Sequence, residues 1–294
     1  MTGNEVSPDA LHEAFGLVAN ETRFDIVAAL WEATTTGETP LSFSSLRERV
    51  GVRDSGQFNY HLDRLTPRFV RSVADGYELT HAGKQLVGAA VSGTYTGTDV
   101  AVAPTPVGDC PRCGSTLEAE YESGYMVVEC TGCDVVITDG LAVPPVLVAG
   151  HEPEELPAVF ARHLLTEVRR INGGFCPLCG GSMDQSLTRS GSPADDESGR
   201  TRPDVTCRCR ACGNTTHMAV GTAVIDHSAV VAFLHDVGID IRERPVWELD
   251  WLLDPHATVV GEDPVRVRVE IETDGAVLDL TLDGDLSVLE YDRR

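Results

Sequence analysis

Apolar positions in the N-terminal part of the chain recur every three or four residues, which is the spacing of amphipathic helices. Residues that commonly cap helices occur at the ends of these segments. Ser7 before Pro8, Asn20 and Ser44 stand at three predicted helix starts, and Gly51 stands at a predicted helix end. The pattern therefore predicts three short helices before residue 52. The apolar face of the first helix comprises Leu11, Phe15 and Val18.

A fourth predicted helix begins near Ser55, and its two faces differ in chemistry. Phe58, Leu62 and Leu65 share the apolar face, and Pro67 ends the helix. The remaining face is built from residue types that hydrogen-bond base edges and phosphates. It comprises Gln57, Tyr60 and Arg64, with Asn59 and His61 on its flanks.

The residues after this helix predict a hairpin and a closing helix. Hydrophobic and polar residues alternate around Asp75-Gly76, a strong hairpin signal, and "LTHAGKQLVGAAV" follows with helical character. Helices, a turn and a β-wing predict a winged helix-turn-helix over residues 1–97; the alternative is a small helical bundle that binds no DNA. The predicted DNA contacts are Arg53, Ser55, Gln57, Asn59, Tyr60, His61 and Arg64, with Arg68 and Arg71 on the wing.

The same region is similar to a known family. "FGLVANETRFDIVAAL", "FSSLRERVGVRDSGQFNYHLDRL" and "GYELTHAGKQL" resemble the winged helix-turn-helix of ArsR-type regulators, particularly haloarchaeal ones, over residues 8–95. The resemblance implies a homodimer, paired partly through the first and last helices, on a roughly two-fold operator in double-stranded DNA. Many relatives sense metals through cysteines on this domain, but residues 1–109 contain no cysteine.

All nine cysteines lie between positions 110 and 212, and eight of them form C-x-x-C pairs. Two such pairs at opposite ends of a hairpin supply four thiolates to one tetrahedral ion. We therefore predict two zinc ribbons, each with one structural Zn²⁺; disulfides and redox C-x-x-C motifs are the less favoured alternatives. The ligand sets are Cys110, Cys113, Cys130 and Cys133, and Cys176, Cys179, Cys209 and Cys212.

The ninth cysteine, Cys207, lies two residues before a predicted ligand. We interpret it as a buried thiol that acts as a small hydrophobe. An alternative ligand and a redox-sensitive thiol are the other interpretations. Four scattered histidines, His217, His227, His235 and His256, show no fixed ligand spacing and are more typical of surface or core positions.

The other C-terminal segments predict a second region of helices and strands. The Pro144-Pro145 segment should be extended, and residues 153–171 form an amphipathic helix with Phe160, Leu164 and Val168 on one side. "THMAVGTAVI" is a predicted strand, "DHSAVVAFLHDVG" a capped helix, and the tail a β-meander with turns at Asp274-Gly275 and Asp283-Gly284. A polar insertion at residues 188–204 is a predicted loop tip.

Charge changes this picture in one respect. The 294 residues include 46 acidic and 23 basic side chains, a net charge of −23, and the basic residues are 22 Arg and a single Lys. Such a balance resembles the proteins of salt-in halophilic archaea, and it weakens the usual inference that an acidic protein avoids nucleic acid. Residues 47–84 are the exception, with seven basic and five acidic side chains.

Composition and motifs also limit the classes of protein to which this chain can belong. There is no run of 18 apolar residues and no basic N-terminal segment before an apolar core, so we expect a cytoplasmic protein that does not enter a membrane. No nucleophile elbow, P-loop, Rossmann glycine signature or H-E-x-x-H motif occurs, so we predict that it is not an enzyme.

Together these patterns predict an α+β chain with five parts. They are the winged helix-turn-helix (1–97), a first zinc ribbon (106–140), a linker with an amphipathic helix (141–172), a second zinc ribbon (173–218) and a small α+β unit (219–294). The function predicted is DNA-binding transcription regulation, with a small-molecule effector, a protein partner or the second subunit at the C-terminal module. The alternative is a zinc-ribbon interaction factor that docks on the transcription machinery and uses its helix-turn-helix for dimerisation.

Overall fold

The computed structural model describes residues 7–97, 99–133, 135–190, 202–252, 257–273 and 275–294. His256, Asp274 and most of the predicted loop tip (residues 191–201) lie outside the described residues. The chain divides into two compact units. The N-terminal unit runs to Asp99 and includes Pro144–Val146, and the C-terminal unit comprises Val100–Val143 and Leu147–Arg294.

Helices and one hairpin make up the N-terminal unit. In chain order they are α1 (Pro8–Val18), α2 (Glu21–Thr35), α3 (Phe43–Val50), α4 (Ser55–Leu65), β1 (Val70–Val73), β2 (Gly76–Leu79) and α5 (His81–Val91). The strands β1 and β2 are antiparallel, with Val70 opposite Leu79.

Short polar side chains begin most of these helices. The predicted cap Asn20 accepts a hydrogen bond from the Arg23 backbone N–H at 3.2 Å, and Gly51 ends α3 in the left-handed region at φ 75°. The prediction of Ser44 as a cap is wrong: Ser42 accepts from the Ser45 N–H, so α3 starts earlier and Ser44 lies in its first turn. Ser7 precedes α1 as predicted, but its side chain makes no capping hydrogen bond.

The core of the N-terminal unit joins α2, α3, α4 and the hairpin. Phe58, Leu62 and Leu65, the predicted apolar face of α4, are all buried, and the Phe58 ring meets the Phe43 ring edge-on at 5.1 Å. Other fully buried members are Ile26, Leu30, Leu46 and Val70. Helix α1 differs, because none of its residues is buried.

Two sheets of the C-terminal unit carry the cysteines. The first has antiparallel strands in the order β3 (Val102–Asp109), β4 (Thr116–Glu122), β5 (Tyr125–Cys130) and β6 (Val136–Ala142). The second has the order β7 (Met183–Ser190), β8 (Arg202–Cys209) and β9 (Thr215–Ala219). Between them, α6 (Pro145–Ala149) and a 3-10 turn (Pro153–Glu155) precede α7 (Leu156–Asn172).

The chain ends in short helices and a four-stranded meander. Helices α8 (Val220–Ala223) and α9 (Ser228–Asp236) are followed by two 3-10 turns, Val246–Glu248 and Asp250–Leu252. The meander comprises β10 (Ala257–Glu262), β11 (Val265–Thr273), β12 (Ala276–Asp283) and β13 (Val288–Arg293), each antiparallel to the next. The predicted meander is confirmed, and β10 adds a strand to it.

Two predictions about this region are wrong. The Pro144-Pro145 segment is not extended throughout, because Pro145 opens α6, a position where proline loses no helix hydrogen bond. The strand predicted over "THMAVGTAVI" ends at Ala219, and α8 follows it. The first turn of α8 is closely packed, since a Cβ on Gly221 would lie 2.6 Å from the Trp251 carbonyl oxygen.

One hydrophobic core joins the segments of the C-terminal unit. The Tyr121 ring of β4 stacks on the Phe160 ring of α7 at 6.4 Å, and the Trp247 indole N–H donates to the Val107 carbonyl at 3.1 Å. Helix α7 buries Phe160 and Val168 as predicted, but Leu165 is buried where Leu164 is only half-buried. Among the described residues, no helix is long and apolar enough to cross a membrane.

Replacement of Gly76 tests the packing of the hairpin. A Cβ there would lie 2.1 Å from the Leu41 carbonyl oxygen, at a φ of +148° that other residues rarely adopt. We expect Gly76→Ala to lower the free energy of unfolding by about 2–4 kcal/mol. The measurement is chemical denaturation followed by helical circular dichroism.

The control is Gly88→Ala, where a Cβ inside α5 meets nothing within 4 Å. It should raise the free energy of unfolding by about 0.5–1 kcal/mol, since alanine favours a helix interior. Equal stability of the two variants would contradict the packing described here.

Candidate metal centres and nucleic-acid interface

The first cysteine centre lies where two turns of the first sheet meet. One pair, Cys110 and Cys113, occupies the turn from β3 to β4, and in the other pair Cys130 ends β5 and Cys133 lies in the turn after it. The Sγ atoms of Cys110 and Cys133 are 3.8 Å apart, and those of Cys113 and Cys130 are 3.5 Å apart. The turn is closed by Gly114, whose N–H donates to the Cys110 carbonyl at 2.8 Å with φ +73°.

The second centre repeats this geometry on the second sheet. Cys176 and Cys179 precede β7, whereas Cys209 ends β8 and Cys212 lies in the turn after it. The Sγ distances are 3.8 Å for Cys176 to Cys212 and 3.6 Å for Cys179 to Cys209. Gly180, at φ +72°, donates its N–H to the Cys176 carbonyl at 2.9 Å, as Gly114 does in the first centre.

The sulfur spacing fits a tetrahedral ion and not disulfides. A disulfide places its sulfurs about 2.05 Å apart. Four thiolates at about 2.3 Å from one zinc ion stand about 3.8 Å from one another, by tetrahedral geometry. In each centre the four sulfurs lie within 4.8 Å of one another. The eight predicted ligands are therefore brought together in two clusters that could each hold a metal ion.

The electrostatics of the clusters also favour a cation. Hydrogen bonds from the side chain and backbone of Ser115 lower the pKa of Cys113 to about 6. A hydrogen bond from the Cys212 backbone N–H is the main cause that lowers the pKa of Cys209 to about 6. The Val135 N–H favours the Cys133 thiolate, but burial and three neighbouring sulfurs raise its pKa to about 12. One thiol in each cluster ionises readily, and full ionisation needs a positive charge at the centre.

The donor set decides what such an ion can do. All four tetrahedral positions are filled by cysteine sulfurs, so no position remains for water or substrate. Backbone N–H groups support the sulfurs, with Gly132 donating to Cys130 at 3.3 Å and Ala211 to Cys209 at 3.4 Å. An ion in this setting holds loops together and performs no catalysis.

Cys207 is not a member of either cluster. It lies in the middle strand of the second sheet, opposite Gln185 and Thr216, and is fully buried. Burial raises its pKa to about 11, so its neutral form is strongly favoured. This position agrees with the interpretation of Cys207 as a small hydrophobe.

The polar face of α4 is exposed as predicted for Gln57, Asn59, Tyr60 and Arg64. Asn59 is held by Asp63, its side-chain N–H donating to that carboxylate at 2.8 Å. Within the part of the chain that the structure describes, Arg64 has no ion-pair or hydrogen-bond partner. Its guanidinium is free to contact a ligand.

The remaining predicted contacts differ in how accessible they are. Arg53 and Ser55 are exposed at the start of α4, whereas His61 is half-buried and its Nδ1 has no hydrogen-bond partner among the described residues. Arg71 on β1 pairs with Glu78 on β2 at 2.6 Å, and Arg68 lies 3.8 Å from Glu13 of α1. The hairpin arginines are therefore partly neutralised.

One residue that supports this face was missed. The Asp54 carboxylate accepts a hydrogen bond from the Gln57 backbone N–H at 2.6 Å and so begins α4. The signal was available, because aspartate before the first apolar-periodic residue is a frequent helix cap.

The histidines and a small cavity in the C-terminal unit add little chemistry. His227 caps α9 by accepting the Ala229 N–H, and His217 lies 3.7 Å from Asp204. Neither belongs to a metal cluster. A cavity of about 260 Å³ lies between α7 and residues 241–245. It is smaller than the roughly 300–1,000 Å³ of typical small-molecule sites.

Comparisons with known families cover both units. A family model described as "Domain of unknown function (DUF7351)" matches residues 107–288, and one described as "Domain of unknown function (DUF7347)" matches residues 11–90. No curated protein matches the chain, and no solved structure does.

The metal capacity of the clusters can be measured by elemental analysis of the purified protein. With two clusters present, we expect two metal equivalents per chain. Cys179→Ser/Cys212→Ser removes two exposed ligands and should lower the content to one equivalent, because two remaining thiolates hold an ion poorly.

Cys207→Ala is the matched control, since it removes a cysteine from outside the clusters. It should retain both equivalents. Loss of metal from this variant, or full occupancy in the double serine variant, would show that the clusters are not the ligand sets.

Proposed function

Because the chain belongs to the family described as a domain of unknown function (DUF7351), a description that assigns no activity, we propose its function from its own residues. We propose that the protein is a DNA-binding transcriptional regulator of ArsR type. Its C-terminal module, in this proposal, is stabilised by two structural zinc ions.

The observation that carries the proposal is the exposed face of α4. The opposite face, with Phe58, Leu62 and Leu65, is buried, so the helix cannot rotate and its polar side chains have a fixed direction. Glutamine, asparagine and arginine make bidentate contacts to base edges in the major groove. Gln57 and Arg64 are therefore the proposed base-reading residues.

The elements around α4 support a winged helix-turn-helix. Helix α3 precedes α4 after a turn of residues 51–54, and the β1–β2 hairpin follows as the proposed wing. Arg53 stands before the start of α4, a place suited to a phosphate contact. Arg71 would exchange its ion pair with Glu78 for a phosphate when DNA approaches.

The acidic net charge of the chain is the main objection to DNA binding. The distribution of the charged residues along the chain answers this objection. The segment 47–84 has seven basic and five acidic residues in a chain of net charge −23. Repulsion from distant acidic groups is screened within about 10 Å at ordinary ionic strength and within less in concentrated salt. Close hydrogen bonds from one locally basic face can then hold DNA.

Zinc is the proposed metal because of the ligands. Thiolate sets of four in tetrahedral arrangement are typical of structural zinc sites. Each turn that carries the cysteines is short, so the ion supplies cross-links that the turns lack by themselves. Metal binding and folding of the two sheets are then coupled.

Helix α1 supports a homodimer. Leu11 and Phe15 are exposed on α1, and Val91 is exposed at the end of α5. A helix with no buried residue gains little from its own unit, so a second subunit that covers this apolar face would stabilise it. The proposed dimer would present two copies of α4 to a two-fold operator.

Genome-wide mapping of bound DNA in the native host tests DNA binding. We expect discrete sites for the tagged protein and their loss in Gln57→Ala/Arg64→Ala. On an isolated site, Arg64→Ala alone should cost about 1–3 kcal/mol of binding free energy if Arg64 reads a base.

Arg266→Ala is the control, because Arg266 is an exposed arginine on β11, far along the chain from α4. It should leave the bound sites unchanged. Absence of discrete sites, or sites that persist in the α4 variant, would favour the interaction factor over the regulator.

Sedimentation velocity tests the dimer. Phe15→Asp places a charge on the proposed apolar interface and should convert a dimer to a monomer. Tyr291→Asp is matched in exposure, since Tyr291 is 58% exposed and Phe15 is 57% exposed. A dimer that survives Phe15→Asp would exclude α1 from the interface.

A further inference from the structure

The two cysteine centres share a backbone motif but present different surfaces. At equivalent positions the first centre has Asp109 and Arg112, and the second has Phe175 and Leu178. Phe175 is 59% exposed and Leu178 is 74% exposed. Because the first centre forms the same turn with charged residues, the cysteine geometry does not require apolar side chains at these two positions.

The two centres also differ in the charge of the residues around them. Residues 169–184 and 205–216 surround the second centre, and residues 103–118 and 126–137 are their equivalents around the first. The second centre has four basic residues and one acidic residue, and the first has one basic and four acidic. The basic residues of the second centre are Arg169, Arg170, Arg208 and Arg210.

Backbone contacts bring together the segments that carry several of these residues. The Phe175 N–H donates to the Arg170 carbonyl at 3.0 Å, and the Arg170 guanidinium lies 4.0 Å from the Cβ position of Gly180. Ser182 forms a β-bridge with Phe175 and accepts the Arg210 N–H at 3.0 Å. We call Arg170, Phe175, Leu178 and Arg210 the knuckle surface.

We propose that the knuckle surface binds single-stranded nucleic acid. An exposed aromatic ring beside arginines is the combination by which proteins stack unpaired bases and hold the adjacent phosphates. Unpaired bases are needed because the bases of a duplex are already stacked on one another. DNA and RNA share this chemistry, so the experiment must distinguish them.

A protein partner is the competing occupant. The cores of protein interfaces are depleted in charged residues, which collect at the rim. Here backbone hydrogen bonds and a β-bridge bring the segments of Arg170 and Arg210 next to Phe175, and the one acidic side chain in residues 169–184 and 205–216, Asp184, pairs with Arg210 at 2.7 Å. A surface of net positive charge in an acidic chain is better matched to a polyanion.

This binding is separate from the proposed DNA binding by α4. The knuckle surface belongs to the C-terminal unit and α4 to the N-terminal unit. The test therefore uses the full-length protein with Gln57→Ala/Arg64→Ala, in which α4 binding is disabled. A failure here leaves the regulator proposal intact.

The experiment is fluorescence anisotropy with three labelled probes of on the order of 10 nucleotides, within the usual site size. They are oligo-deoxythymidine, oligo-uridine and a DNA duplex of equal length. We expect binding of at least one single-stranded probe and weaker binding of the duplex. The preferred single strand identifies DNA or RNA as the ligand.

The decisive variant is Phe175→Asp/Leu178→Arg, which installs the residues of the first centre without changing the net charge. We expect it to weaken single-strand binding about tenfold or more, because a stacked base is lost, while both metal equivalents remain bound. Arg112→Ala at the first centre is the control and should leave binding unchanged.

Three results would overturn the proposal: no binding of either single-stranded probe, tighter binding of the duplex, or equal affinity of the Phe175→Asp/Leu178→Arg variant. The first result would make a protein partner the better occupant of the knuckle surface.

Discussion

The convergence of four cysteine sulfurs to within 4.8 Å, twice in one unit, is the constraint on which the C-terminal structure depends. Each convergence joins the ends of neighbouring strands. Neutral thiols gain little from such proximity, and four thiolates repel one another. A cation at each centre would make the geometry favourable, and the four-sulfur donor set would leave that cation no open coordination position.

That constraint explains how the unit can combine short segments into one core. The turn at Cys110 follows directly from β3, whose Val107 carbonyl accepts the hydrogen bond from Trp247, so the first centre is tied to the C-terminal residues. Helix α7 lies against the same core through Phe160. The segments are thus less independent than their separate sequence motifs imply.

The two centres share a turn but differ in the residues beside their cysteines. A turn that needs only its cysteines and a glycine tolerates Asp109 and Arg112 in one copy and Phe175 and Leu178 in the other. The cysteine geometry of the turn does not require the exposed apolar pair. Helix α4 likewise has two separate faces: its buried face packs on the core, and its exposed face is available to contact a ligand.

Local chemistry was sufficient to predict many elements of this protein from its sequence. The cap at Asn20, the end of α3 at Gly51, the apolar face of α4 and the grouping of eight cysteines depend on residues close in sequence or on fixed ligand spacing. The start of α3 at Ser42 depends on a local hydrogen bond from the Ser45 N–H, but the sequence pattern alone did not choose among the three nearby serines. The helix that follows Ala219 and the shared core of the C-terminal unit involve residues far apart in the chain. The approach of Trp251 to Gly221 and the contact between Trp247 and Val107 join positions that no local pattern relates.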